Sequence, residues 1–155
     1  MSTVKQSIGS RTQLSGAAAA LNSLANVTYV SLGTLTFASS SKTPLTVKLE
    51  VSVTPGTVSG NKQVVIFAQQ TLDGTNFESG PSSGTTTTDE PDLTFLGTIP
   101  CGTNSTLQRK VFDLAAAFGG SLPYGAKIIA KNDSGAALSS SGNDCYTLDA
   151  SGDVT

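Results

Sequence analysis

Three carboxylates lie close together in a polar segment of the chain. They are Asp89, Glu90 and Asp92, and Thr87 and Thr88 precede them, so five oxygen-bearing side chains fall within six residues. Ca²⁺ takes about six to eight oxygen ligands of this kind. The spacing matches no EF-hand loop, and acids beside a proline are more often solvated. We therefore predict no metal site and keep these three acids as the calcium candidate.

The chain contains no histidine. Histidine is the side chain most used for general acid and base catalysis near neutral pH, and it is the commonest neutral metal ligand. A serine or cysteine nucleophile therefore lacks its usual base. Two of the loop acids could form the acid and nucleophile pair of a glycosidase, but the sequence does not fix their separation. We predict that the protein is not an enzyme and needs no cofactor.

The chain has two cysteines, Cys101 and Cys145. No apolar core follows the basic residues near the N-terminus, so we predict no secretory signal and no membrane span. A chain made and kept in a cytoplasm holds its cysteines as thiols, although a disulfide between these two is geometrically open. With no histidine to activate it, neither cysteine is predicted to be catalytic.

Hydroxyl side chains dominate the polar composition. The sequence has 21 serines and 21 threonines, while only 13% of its residues are charged. Residues 1–49 carry four basic and no acidic side chains, and residues 50–155 carry five basic and eleven acidic ones. A cationic leading segment on an acidic body can steer docking onto acidic neighbours, or it can be ordinary solvated charge. No dense basic patch with interleaved aromatics is present, so we predict no nucleic-acid partner.

The first 26 residues lack the period-two apolar pattern of a strand. We therefore divide the chain into an extended N-terminal arm, residues 1–26, and a β-sandwich domain, residues 27–155. The arm residues predicted to contact a partner are Val4, Lys5, Ile8, Arg11, Leu14, Leu21 and Leu24. Fully extended, the arm would span about 80–90 Å, enough to reach a neighbouring subunit. The alternatives are a frayed terminus and one or two helical turns in the alanine-rich run 16–21.

The clearest strand signal lies at residues 45–53, where apolar and polar side chains alternate without a break. One face of such a strand lies in the core and the other in water. The residues expected to point inward together are Leu45, Val47, Leu49, Val51 and Val53. A similar pattern over residues 28–38 is interrupted at Gly33, which indicates a bulge or a bend.

The remaining strand signals indicate the fold class. Residues 63–70 are apolar on both sides at their centre, which is typical of a strand covered on both faces. A hairpin turn is predicted at Asp73-Gly74, and a long polar loop follows it. Phe67 and Phe95 are expected to fill the core. Eight or so short strands indicate an all-β, two-sheet antiparallel sandwich, with a jelly roll as the first topology and an immunoglobulin-like sandwich as the second.

Four turn-rich segments of the chain stand out: TPGTVSGNK at 54–62, LDGTN at 72–76, SGPSSGTTTTDEPDL at 79–93 and KNDSGAA at 131–137. Together these segments resemble small structural proteins of tailed bacteriophages. The likeness runs over about residues 28–143 and is to the jelly-roll head decoration, or cement, proteins in particular. It carries over no catalytic residues.

This resemblance implies a virion structural protein that binds the outside of the phage head and stabilises contacts between major capsid subunits. The implied partner is the major capsid protein, and the implied location is the capsid exterior after synthesis in the host cytoplasm. We expect the body to self-associate, with a trimer favoured over a dimer, and the arm to become ordered only on docking. The alternative is a tail-associated or fibre-associated β-sandwich that serves in adhesion and binds glycans.

Overall fold

The computed structural model describes residues 4–38 and 44–154. Over these residues the chain forms ten β-strands, two short α-helices and one 3-10 turn. The strands are β1 (Val4–Ile8), β2 (Thr12–Gln13), β3 (Thr28–Thr36), β4 (Thr46–Val53), β5 (Gln63–Thr71), β6 (Ser83–Gly84), β7 (Thr94–Pro100), β8 (Gln108–Asp113), β9 (Gly125–Asp133) and β10 (Asp144–Val154). The helices and the 3-10 turn are α1 (Ala17–Leu21), α2 (Leu114–Ala117) and Glu90–Asp92.

The strands pair in a nested antiparallel order. Sheet A has the order β1-β10-β4-β8, with β2 also paired to β10, and sheet B has the order β6-β3-β9-β5-β7. The nested pairs are β1 with β10, β3 with β9, β4 with β8 and β5 with β7. A long hairpin rolled into two sheets in this way is a jelly roll. The predicted all-β two-sheet sandwich is confirmed, with the jelly-roll strand order and not the immunoglobulin-like one.

Strand β4 follows the predicted alternation from Thr46 to Val51, and Ser52 on the other face is buried as well. Val47, Leu49, Val51 and Val53 are all buried between the sheets. The expectation that Leu45 points inward is wrong, because its side chain is 60% exposed. Leu45 lies one residue before β4, at the end of the sandwich, and only its backbone N–H is engaged, donating to the Ala150 carbonyl at 2.7 Å.

The glycine in β3 marks a bulge, as predicted. The register between β3 and β9 shifts between Ser31 and Gly33. Gly33 has a φ of 139°, a conformation that side chains rarely allow, and a β-carbon there would lie 3.1 Å from Cγ of Leu14. The bulge therefore provides the space in which Leu14 packs against the sheet.

Strand β5 is covered on both faces, as its sequence predicts, because sheet B has a second apolar cluster on its outer side. The members of this outer cluster are Tyr29, Val65, Phe67, Leu93 and Ile129. The polar segment after β5 crosses over it, since Gln69 Nε2 donates to the Gly80 carbonyl at 2.9 Å. The prediction that Phe95 fills the core is wrong. Its ring lies 6.1 Å from that of Phe67 but is 59% exposed, because β7 is an edge strand.

Part of the predicted arm, residues 1–26, belongs to the sandwich itself. Strands β1 and β2 both pair with β10 of the same chain, and β1 is the first strand of the jelly roll. Ala17 and Leu21 of α1 are fully buried in the main core, and Leu24 is 7% exposed. Asn132 Nδ2 also donates to the Leu24 carbonyl at 2.8 Å. The extended part therefore ends near Gln13, and residues 14–26 belong to the body.

Candidate interaction surface

The seven predicted arm residues fall into two groups. Lys5, Ile8 and Arg11 are exposed in the extended segment 4–13, which starts with Val4 at the beginning of β1. The residues that pack onto the body are Leu14, Leu21 and Leu24. Strands β1 and β2 of this segment pair with the chain's own β10, and ordering of the arm on docking stays a prediction. The extended segment 4–13 is therefore the part of the predicted arm that is presented on the surface.

Arg11 fastens the extended segment to the outer face of sheet A. Its Nη2 lies 2.5 Å from Oε1 of Glu50, and its guanidinium carbon lies 3.2 Å from the centroid of the Tyr146 ring. Glu50 and Tyr146 are register partners in β4 and β10, so one arginine spans two strands. Hydrogen bonding to Glu50 raises the pKa of Arg11. Arg109 of β8 approaches the same Glu50 oxygen, with its Nε at 3.5 Å.

A second contact holds the end of the extended segment. Gln13 Nε2 lies 2.9 Å from each carboxylate oxygen of Asp144, at the start of β10. Burial acts to raise the pKa of Asp144, but hydrogen bonds from Gln13, Tyr146 and the backbone of Cys145 outweigh it, so this pKa is lowered. Sequence pattern does not predict this contact, because Gln13 and Asp144 lie 131 positions apart.

A further charged contact, centred on Asp113, lies at the β8 side of sheet A. Asp113 accepts hydrogen bonds from Lys48 Nζ and from Thr46 Oγ1, the latter at 2.6 Å. It also caps α2 by accepting from the Ala116 N–H at 3.2 Å. The bonds from Lys48 and Thr46 lower the pKa of Asp113 from 3.8 to about 2. Asp113 thus joins the edge strand β8 to β4 and starts the following helix.

The three acids of the calcium candidate do not converge. Glu90 Oε2 lies 2.6 Å from Lys131 Nζ, and that amine also lies 4.9 Å from the centroid of the Tyr29 ring. Asp89 adopts a left-handed backbone conformation, with a φ of 59°, at the start of the 3-10 turn that contains Asp92. Over residues 4–38 and 44–154, no group of three or more His, Cys, Asp or Glu side chains is placed to hold a metal ion. The Glu90–Lys131 ion pair instead links the 3-10 turn to β9.

Both cysteines are buried and free. Burial raises the pKa of Cys101 to about 11 and that of Cys145 to about 12. Each thiol therefore stays protonated near neutral pH and behaves as a small apolar core residue. This agrees with the sequence-based expectation of thiols rather than a disulfide.

Large apolar side chains are exposed at one end of the sandwich, which we call the apolar end. They are Ile8 at 66%, Leu45 at 60%, Leu72 at 85% and Tyr124 at 41% exposure. Leu45 and Tyr124 directly precede β4 and β9, and Leu72 directly follows β5. Ile8 is paired with Ala150, whose carbonyl accepts the Leu45 N–H. Leu72, Ile8 and Leu45 are the three most exposed large hydrophobic side chains in the described part of the chain.

Two open grooves lie at the apolar end. One has a volume of about 330 Å³ and lies between the sheets, where Phe37, Pro44 and Asp149 are among its lining residues. The other has a volume of about 480 Å³ and runs beside the turn after β5, with Leu72 and Phe77 in its wall. Exposed apolar side chains next to concave surfaces are typical of sites that bind another protein.

The turn that presents Leu72 is rigid. The Asp73 carboxylate accepts hydrogen bonds from the backbone N–H groups of Asn76 and Thr75, both at 2.8 Å, and these bonds lower its pKa. Thr71 Oγ1 accepts the Gly74 N–H at 2.9 Å. Leu72 is therefore exposed on a turn whose backbone is fixed, so docking through it would cost little conformational entropy.

Comparison with known proteins adds no relative to this description. No family model, curated protein or solved structure matches the chain. None of the helices in the described part of the chain is long and apolar enough to cross a membrane.

Proposed function

We propose that the protein is a capsid decoration, or cement, protein that binds the outside of a tailed-phage head. In this role it stabilises contacts between major capsid subunits and is located on the capsid exterior. The resemblance over residues 28–143 supports this role. The jelly-roll pairing of the strands agrees with the fold that the resemblance implies.

The apolar end is the observation that carries the proposal. A jelly roll also occurs in lectins, so the fold alone does not choose between a capsid and a glycan as the target. Sugar faces stack on aromatic rings, whereas three of the four exposed side chains at the apolar end are aliphatic: Ile8, Leu45 and Leu72. Aliphatic side chains on a fixed turn favour contact with a protein surface.

The extended segment 4–13 supports a second contact in the same assembly. It lies on the outer face and edge of sheet A and carries Lys5 and Arg11, while the following residues anchor it in the core. An element attached in this way can bridge to a neighbour without unfolding the body. We propose that this segment, rather than all of residues 1–26, is the part of the arm that contacts capsid or an adjacent copy.

The test uses heads and tails purified separately from the phage whose genome encodes this chain. The full-length protein is mixed with each fraction, sedimented, and the bound particles are imaged by electron microscopy. We expect binding to heads and extra density on the outer surface, at junctions between major capsid subunits. Density on the tail would instead support the adhesion alternative and overturn the head assignment, and so would absence of binding to either fraction.

A pair of leucine variants tests the surface itself. Leu72→Asp places a charge on the apolar end, whereas Leu107→Asp places the same charge just before β8, at the opposite end, where Leu107 is 48% exposed. We expect Leu72→Asp to weaken head binding about tenfold or more, because burial of one leucine side chain contributes about 1.5–3 kcal/mol. Leu107→Asp should bind like the wild type, and equal loss in both variants would rule out the apolar end as the contact.

A further inference from the structure

The two sheets have four edges, and three of them carry features that prevent pairing with another strand. Strand β8 exposes Arg109 and Lys110, and Lys110 Nζ donates to the Thr98 carbonyl of β7 at 2.9 Å. Strand β7 has a register shift beside Gly97 and ends at Pro100, which has no N–H to donate. Strand β6 is only two residues long and covers only Tyr29 and Val30 of β3, and the rest of β3 is irregular at the Gly33 bulge. Charge, proline, irregular register and short length are the usual ways of protecting a sheet edge.

Strand β1 has neither a proline nor an irregular register, and it is longer than β6. It is five residues long, with the sequence Val-Lys-Gln-Ser-Ile, and its register with β10 is continuous from Val4 to Ile8. Among the described strands, β10 is its only partner. Lys5 provides its single charge, and Ile8 is 66% exposed. A regular edge with an exposed aliphatic residue is a template for another strand.

The β1 edge also belongs to a ribbon that extends beyond the rest of sheet A. The ladder between β10 and β4 stops at the pair Ala150 and Thr46, whereas the ladder between β10 and β1 continues to Val154 and Val4. Past Ala150, sheet A thus has two described strands, and a two-stranded ribbon is marginally stable in water. A third strand added to β1 would stabilise it.

The backbone groups of β1 face the correct way for such an addition. The Gly9 N–H, one residue after β1, donates to the Asp149 carbonyl at 2.9 Å. Because peptide groups alternate along an antiparallel strand, the N–H groups of Gln6 and Ile8 point away from β10. These two N–H groups lie along the free edge of sheet A, where an added strand could accept their hydrogen bonds.

The sequence of β1 is complementary to itself. If two copies of β1 pair antiparallel about a two-fold axis at Gln6, then Val4 stands opposite Ile8 of the other copy and Lys5 stands opposite Ser7. Aliphatic residues then face aliphatic residues, and no like charges are opposed. A two-fold axis at Lys5 would instead place two lysines opposite each other, which is destabilising.

We infer that β1 is a self-association edge through which two copies of this chain pair β1 against β1, with the two-fold axis at Gln6. The partner is a second copy because the register, the charges and the direction of the free N–H groups all fit the same five residues. Pairing of this kind is isologous and closes at two subunits. The inference does not rest on the proposed capsid function, and it predicts a dimer where the sequence favoured a trimer.

The test measures the mass of the isolated full chain by sedimentation over a range of concentrations. We expect a dimer of the 15.7 kDa chain. Gln6→Pro removes the outward N–H from both copies, so it should raise the dissociation constant about tenfold or more, since each hydrogen bond contributes about 0.5–1.5 kcal/mol. Gln6→Thr keeps that N–H and should leave the dimer intact. A monomeric or trimeric wild type, or a Gln6→Pro variant that dimerises normally, would overturn the inference.

A charge pair tests the position of the axis and does not depend on how proline affects folding. Gln6→Lys alone and Gln6→Glu alone each place like charges across the two-fold axis, so each should weaken the dimer about fivefold at low salt. An equimolar mixture of the two variants should dimerise as strongly as the wild type, because opposite charges then meet. Failure of the mixture to recover would refute this register. The assay contains no capsid, so its outcome is independent of head binding.

Discussion

Among single residues, Arg11 has the clearest role in holding the extended segment. It contacts the Glu50 carboxylate and the face of the Tyr146 ring, and these belong to two different strands. The extended segment is otherwise held by backbone pairing with β10 and by the contact of Gln13 with Asp144. Loss of the arginine side chain would therefore loosen the segment without disturbing the core.

We predict that Arg11→Ala increases hydrogen exchange in residues 5–13 several-fold while the main core stays protected. Hydrogen exchange reports local opening of this kind, because the segment can detach without global unfolding. Arg109→Ala is the matched control, since it removes the same charge beside Glu50 but lies on β8. If both variants change exchange in residues 5–13 equally, general charge and not the Arg11 contact holds the segment.

Asp113 makes the stability of the protein depend on pH. Its folded pKa of about 2 lies below the ordinary value of 3.8, so its stabilisation is fully present above pH 4 and is lost as the pH falls towards 2. We predict that Asp113→Asn, which can still cap α2, is less stable than the wild type at pH 5 and that the difference shrinks by pH 2. Urea unfolding at both pH values measures this, and a constant difference would contradict it.

The candidate site was predicted only in part from single residues. Arg11 and Ile8 are exposed on the surface segment, as expected of contact residues, because lone polar-flanked positions in an extended chain remain outside. Leu21 and Leu24 are in the core, because the alanine-rich run forms a helix that the sandwich covers. Burial of this helix depends on contacts with residues distant in the sequence, so the local pattern of apolar side chains does not predict it.

At the level of elements, the bulge in β3 connects the first strand of sheet B to the N-terminal residues. Gly33 has a φ of 139° and leaves room for Leu14. We predict that Gly33→Ala lowers the free energy of unfolding by about 1–3 kcal/mol, because a side chain is strained in this conformation. Thermal and urea unfolding measure the change.

The matched control for this prediction is Gly102→Ala. Gly102 has open space around the position of a β-carbon, and its φ lies outside the left-handed region. The control should change the free energy of unfolding by less than about 0.5 kcal/mol. A Gly33→Ala variant as stable as this control would mean that neither the bulge nor the Leu14 contact limits the residue at position 33.

Strands whose apolar and polar side chains alternate strongly are predicted correctly from the sequence, whereas strands without that alternation are missed. The alternation over residues 45–53 predicts β4, because only one register buries its valines together with Leu49. No such pattern predicts β1, because an edge strand exposed on its surface needs no apolar face. An aromatic ring in a strand is usually buried, so the sequence predicts a buried Phe95, whereas only the pairing order shows that β7 is an edge.

For the whole molecule, the boundary between segment and body determines which truncations fold. We predict that deletion of residues 1–13 leaves a cooperative β-sandwich, since it removes β1 and β2 and the side chains described in it, those of residues 5–13, are all exposed. Deletion of residues 1–24 removes Ala17, Leu21 and Leu24 from the main core. Loss of a buried leucine side chain from a core costs about 2–5 kcal/mol, and a domain is stable by only about 5–15 kcal/mol, so this truncation should fail to fold.

Circular dichroism and thermal unfolding distinguish the two truncations. A cooperative transition in the longer deletion would show that α1 is dispensable and that the arm does extend to residue 26. The shorter deletion is also the proper reagent for capsid binding, because any loss of binding in the longer one would be confounded with loss of folding.

Topology was the part of the fold least determined by local pattern. The sequence predicted two sheets, and it left two strand orders open because both consist of short strands separated by turns. The jelly roll is decided by pairs such as β1 with β10, which join the two ends of the described chain. The sequence pattern does not encode such distant pairs explicitly.

The position of β10 in sheet A has a consequence for synthesis of the protein. Strands β1 and β2 pair with β10 and with no other described strand, yet β10 is translated after all of them. At about 5–20 residues per second, the first strands leave the ribosome many seconds before their partner exists. Sheet A therefore cannot be complete until β10 has left the ribosome, and the elongation rate sets how long the nascent chain needs protection from aggregation.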